Sequence, residues 1–106
     1  MFSFNHFNFN VLDLERSLRF YDEAFGLKPV REKLASDGSF KLVFLGDGVT
    51  DFRLELTYMT DRTEPYDLGE QEFHLAFVAD DMKRHTPCMR KWAASAWIIR
   101  TWAFTL

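Results

Sequence analysis

The stretch HFNFNVLDLERSLRFYDEAFGLKPVR, residues 6–31, decides the fold. Its opening belongs to a strict alternation over residues 5–12, NHFNFNVL. His6, Asn8 and Asn10 point one way, and Phe7, Phe9 and Val11 point the other. A period of two is the mark of a half-buried strand. At Asp13 the period changes. Asp13 is a good helix N-cap, Leu14, Leu18, Tyr21 and Phe25 recur at helical spacing, and Gly26 stands where a C′ glycine belongs. Residues 14–25 therefore read as an amphipathic helix burying those four side chains.

Outward from this strand–helix unit the chain stays punctuated. Pro29 to Ser36 reads as a strand, Asp37-Gly38 as a two-residue hairpin turn, and Ser39 to Leu45 as the returning strand. Gly46-Asp47-Gly48 turns the chain again. Phe52 to Met59 is a fourth strand, with Phe52, Leu54, Leu56 and Tyr58 on one face and Arg53, Glu55 and Thr57 on the other. Residues 60–70, TDRTEPYDLGE, form a polar loop. Glu72 to Ala79 is a fifth strand with His74 opposite Phe73, Leu75 and Phe77, and Asp80-Asp81 caps a second helix. The order β-α-β-β-β, then a new β, predicts an α+β fold: one βαβββ module plus an incomplete second module.

The chain has 106 residues, 47% of them hydrophobic, enough for one small domain with a real core. A net charge of -3 gives no basic footprint for nucleic acid. One Cys excludes an internal disulfide, which fits a reducing compartment. The first ten residues lack the basic and continuous apolar segments of a signal peptide, and no apolar run approaches the roughly 18 residues of a spanning helix. The expectation is a cytoplasmic protein without membrane partners.

His6, Glu55 and His74 each fall on the polar face of their strand. Two imidazoles and a carboxylate suit a borderline divalent metal, and strands hold ligands rigidly. Taken singly, each residue reads equally as a hydrogen-bonded or solvated strand side chain, and the spacing is no metal motif.

Three segments resemble the vicinal-oxygen-chelate superfamily, and within it the lactoylglutathione lyase (glyoxalase I) family: residues 6–31, DFRLELTY at 51–58, and EFHLAFVADD at 72–81. Together they lie within residues 6–81. The resemblance implies His6, Glu55 and His74 as metal ligands. The family isomerises the hemithioacetal of methylglyoxal and a thiol to a thioester, with a Glu carboxylate moving the proton and a divalent metal acting as Lewis acid. Glu55 is then the candidate catalytic carboxylate. The compact loops resemble the shorter bacterial enzymes, which implies Ni or Co ahead of Zn, and the superfamily implies a homodimer or larger. Two positions depart from the glutathione-using pattern: Asn10 stands in place of an Arg, and Met59 in place of an Asn. Glutathione as the thiol cosubstrate is therefore unsettled by the resemblance.

Composition changes at Met82. Residues 82–106 hold all three Trp, the Cys, five Lys or Arg and no Asp or Glu, whereas residues 1–81 hold all sixteen acids. The family's fourth ligand, a Glu in a D-P-D-G-Y-x-x-E strand, has no counterpart there. A basic amphipathic tail is one reading. The other is a lost base after the Asp81 codon. Back-translated and shifted by one, the tail can read YEAAHAMHEKMGCICMDNPDMGIYF, a helix and strands in family order. The single Trp codon fixes three of those residues. On this reading residues 1–81 are the glyoxalase-like domain and residues 82–106 an out-of-frame tail, with activity impaired by the missing ligand. A metal-free drug-sequestering dimer and an iron-dependent extradiol dioxygenase are the alternatives within the superfamily. The dioxygenase takes its Glu from the last strand, a position other than Glu55.

Overall fold

The computed structural model describes residues 1–92. The readings made for 93–106, including most of the restored frame, lie outside the described residues. The chain forms two compact units, Met1–Tyr66 and a second beginning at Asp67.

The first unit is a complete βαβββ module. It runs β1 (His6–Val11), α1 (Leu14–Phe25), β2 (Lys28–Leu34), β3 (Phe40–Gly46) and β4 (Arg53–Met59). The four strands form one sheet in the order β1-β4-β3-β2. β1 runs parallel to β4, and the other two pairs are antiparallel. Only the β1–β4 pair needs a crossover, and α1 begins that crossover. Alternation along the strands sorts the sheet into two faces. Val43, Leu45, Leu54 and Leu56 line the face covered by α1, and Val43, Leu45 and Leu56 are below 2% exposed. Fully burying a side chain of this kind contributes about 1.5–3 kcal/mol.

Both ends of α1 are closed as their residues dictate. The Asp13 carboxylate accepts from the Arg16 amide at 3.0 Å, and Gly26 takes the left-handed conformation at φ 67°. The buried stripe differs from the expected one. Leu14, Phe20 and Ala24 are buried, while Leu18, Tyr21 and Phe25 are half-buried. At 100° per residue the inward face is turned roughly 80° from the Leu14-Leu18-Tyr21-Phe25 row. The cause is width: the two adjacent apolar rows form one broad stripe, and Phe20 stacks against Tyr21 and Phe25 to fill it.

The β2–β3 connection is also longer than expected. Ala35 pairs with Phe40 through a 2.9 Å hydrogen bond, and the Gly38 amide donates to the Ala35 carbonyl at 2.9 Å. Ser36 and Asp37 are thus the central residues of the turn. Gly38 follows at φ 73°, and Asp37 accepts from the Ser39 amide. A local Asx bond won over a two-residue hairpin.

In the second unit α2 spans Met82–Lys91, as the Asp80-Asp81 cap predicts. The Asp81 carboxylate accepts from the Arg84 amide at 3.4 Å. Asp80 accepts from the Asp81 amide and lies 3.3 Å from His85 Nε2. Its hydrogen bond with His85, then that from the Asp81 amide, holds the Asp80 carboxyl below its ordinary value. The expected fifth strand is absent: residues 71–79 alternate in sequence but adopt no regular secondary structure. A strand needs a neighbour for its backbone groups, and the described part of this unit contains no second strand.

Candidate functional site

The face of the sheet away from α1 is built by register. Across it run Asn8, Glu55, Phe44 and Arg31 as paired positions on β1, β4, β3 and β2. Asn10, Thr57, Leu42 and Lys33 form the next row. His6 stands at the near end of β1, opposite Arg53.

Two of the three sequence-derived candidates meet here. His6 Nε2 and Glu55 Oε2 face each other at 3.5 Å, with the carboxylate mostly shielded and the imidazole partly open. That separation exceeds an ordinary hydrogen bond. It is close to the roughly 3.3 Å between two ligand atoms each about 2.0–2.2 Å from a tetrahedral cation. The surroundings hold both groups in ligand-like states. Asn5 Oδ1 lies against His6 Nδ1. A proton on Nδ1 satisfies that contact and leaves the Nε2 lone pair directed toward Glu55. The Thr57 hydroxyl donates to Glu55 Oε1 at 3.3 Å. With its nitrogen turned toward Glu55, the Asn8 amide donates to the same oxygen at 2.8 Å. That orientation suits a carboxylate that can only accept. Below them the His6 ring stands edge-on to Phe44.

His74, the third candidate, belongs to the second unit, in the segment without regular structure, where it is exposed. Among the described residues no three His, Cys, Asp or Glu side chains are grouped to hold a metal. His6 and Glu55 therefore fit one half of a metal's ligand shell.

Sequence reading missed the groups that hold these two. Asn8 and Thr57 share parity with His6 and Glu55, a signal that was available. Phe44 carried none, because both faces of β3 are apolar and its inward side is not readable from alternation. Asn5 lies outside the strand.

The comparisons with known proteins agree with this architecture. Residues 3–88 match the Glyoxalase/Bleomycin resistance protein/Dioxygenase superfamily. The chain is 45% identical over 78 residues to lactoylglutathione lyase of Neisseria meningitidis, covering 72% of this chain and 56% of that enzyme. It thus spans about half the length of that relative. Among solved structures it resembles the trypanothione-dependent glyoxalase I of Leishmania major, with a TM-score of 0.75 and 33% identity over 88% of this chain and 68% of that one. It also resembles glyoxalase I of Zea mays, with a TM-score of 0.73 and 32% identity over 83% of this chain and 32% of that one. A βαβββ sheet with a His–Glu pair on its open face, matched over residues 3–88, makes this chain a member of the glyoxalase/bleomycin resistance protein/dioxygenase superfamily.

Proposed function

We propose that the open sheet face is part of a glyoxalase I-type lyase site, acting on the hemithioacetal of methylglyoxal and a thiol. The observation that carries this is the approach of His6 Nε2 to Glu55 Oε2 from two neighbouring strands. His6 and Glu55 are two metal ligands, and the family resemblance makes His74 a candidate for a further one. A bound divalent ion (Ni, Co or Zn) would supply Lewis acidity toward two adjacent substrate oxygens. The chain's own groups do the rest. Thr57 and Asn8 hold the Glu55 carboxylate in place through hydrogen bonds to Oε1, and Phe44 shields the inner edge of the His6 ring. Glu55 moves the substrate proton only when it is free of a ligand role, so the two duties compete.

Residues 82–106 contain no Asp or Glu to share that load. With Glu55 held as a ligand, turnover is slow, because the general-base contribution of about 10²–10⁴ in rate is then largely lost. It assembles as a homodimer or larger, and it works as a cytoplasmic enzyme. No helix among the described residues is long and apolar enough to cross a membrane. The test is a methylglyoxal–thiol isomerase assay with added Ni, Co or Zn. Slow metal-dependent turnover, lost in Glu55→Gln, supports the reading. A complete absence of metal binding at the pair refutes it and favours the metal-free binding dimer.

A further inference from the structure

His6 meets a different neighbour at each part of its ring. Glu55 Oε2 faces Nε2 at 3.5 Å. Phe44 stands against the ring edge, 5.6 Å between centroids. Asn5 Oδ1 is in hydrogen-bond contact with Nδ1. Asn5 is itself held in place. Its carbonyl accepts from the Arg53 amide at 3.0 Å, next to the His6–Arg53 pair that opens the β1–β4 register. The Arg53 guanidinium bonds elsewhere, through Nη1 to the Thr50 and Phe52 carbonyls.

A neutral imidazole carries one N–H proton, and the partner of one nitrogen fixes the state of the other. Two acceptors compete for that proton here, the Asn5 oxygen at Nδ1 and the Glu55 carboxylate at Nε2. A proton on Nε2 would remove the lone pair on that side and draw Glu55 onto the ring. Yet the 3.5 Å gap exceeds an ordinary hydrogen bond, so the pair stands open. Glu55 is held from its other oxygen, by the Thr57 hydroxyl and the Asn8 amide.

We propose that Asn5 is a positioning residue that holds the His6–Glu55 pair open, by keeping the imidazole proton on Nδ1. The inference deepens the reading above and rests on it, because an open pair is one that a cation can enter. Asn5 acts from outside the ligand set: its backbone bond to Arg53 fixes where the amide oxygen stands, and the oxygen selects the tautomer.

The experiment locates the proton directly. The whole chain, ¹⁵N-labelled and metal-free, is studied at about pH 8, above the ordinary imidazole range, by proton–nitrogen correlation through the ring couplings. His6→Ala assigns the His6 signals among the three histidines. The native chain is expected to carry the proton on Nδ1. Asn5→Leu, checked for an intact amide spectrum, keeps the backbone bond to Arg53, removes the acceptor and moves the proton to Nε2. Asn5→Asp restores an acceptor and keeps the proton on Nδ1. Ni or Zn affinity by calorimetry is expected to fall about 10- to 100-fold in Asn5→Leu and to fall less in Asn5→Asp. A merely structural role for Asn5 would disturb the amide spectrum and leave the ring nitrogens as they were. A native proton on Nε2 overturns the proposal, as does an Nδ1 proton that survives Asn5→Leu. Metal binding by Asn5→Leu as tight as by the native chain overturns it too. A proton that moves as expected, where neither the native chain nor the variants bind metal, supports this inference and sinks the lyase reading.

Discussion

His6 Nε2 lies 3.5 Å from Glu55 Oε2, although 48 residues of chain separate the two. Parallel pairing of β1 with β4 makes the approach. On the proposed reading the two atoms form one ligand half-shell, so their removal and the removal of their supports should scale differently. Glu55→Gln and His6→Ala are each expected to abolish measurable Ni or Zn binding by calorimetry. Thr57→Val leaves the ligands in place and takes away a hydrogen bond to the carboxylate, so it is expected to weaken metal affinity about 10- to 100-fold. Identical affinity in Thr57→Val and the native chain would show that Thr57 does not support a ligand.

The stability of the module concentrates in few side chains. Leu56 is fully buried at the centre of the helix-facing sheet surface. Leu56→Ala should cost about 2–5 kcal/mol through lost burial and the cavity left behind. Asp13→Ala removes the α1 cap and should cost ~1 kcal/mol. Gly26→Ala puts a Cβ into the left-handed region, where nothing crowds it within 4 Å. Its cost is therefore conformational alone, about 1–2 kcal/mol. Urea unfolding monitored by circular dichroism measures all three. The ranking fails if Gly26→Ala exceeds Leu56→Ala.

Stability should fall at both pH extremes for identifiable reasons. Burial pushes the Tyr21 hydroxyl up to about 12 from an ordinary 10.0. A raised folded-state value keeps its contribution intact below pH 10 and removes it as pH climbs from 10 toward 12. Tyr21→Phe should flatten that alkaline loss, seen in urea midpoints between pH 9 and 11.5. At the acid end, Asp47 accepts from the Thr50 and Val49 amides and from the Thr50 hydroxyl, which together lower its pKa from 3.8. Its contribution is present above that ordinary value and disappears as pH falls through the lower folded one. Asp47→Asn keeps an acceptor without the charge, so the acid-side slope below pH 4 should shrink. Unchanged slopes in both variants would assign the pH dependence elsewhere.

Local periodicity alone determined much of this protein. The switch from period two to period 3.6 at Asp13, the Gly26 stop and the alternation of Phe52–Met59 specified a strand, a capped helix and a strand whose faces are as expected. Those signals work because a side chain's face follows from backbone geometry a few residues long. They also put His6 and Glu55 on polar faces before any pairing was known. Tertiary structure decided the rest. That β1 pairs with β4, so that Glu55 meets His6, is a long-range choice with no local signature. The inward turn of α1 toward Phe20 and Ala24 is a tertiary choice, because a broad apolar stripe leaves more than one row able to face the sheet. The strand-like residues 71–79 show the converse. Their alternation satisfies the local rule, yet no strand forms, because a ladder is stabilised only by the partner that completes its hydrogen bonds.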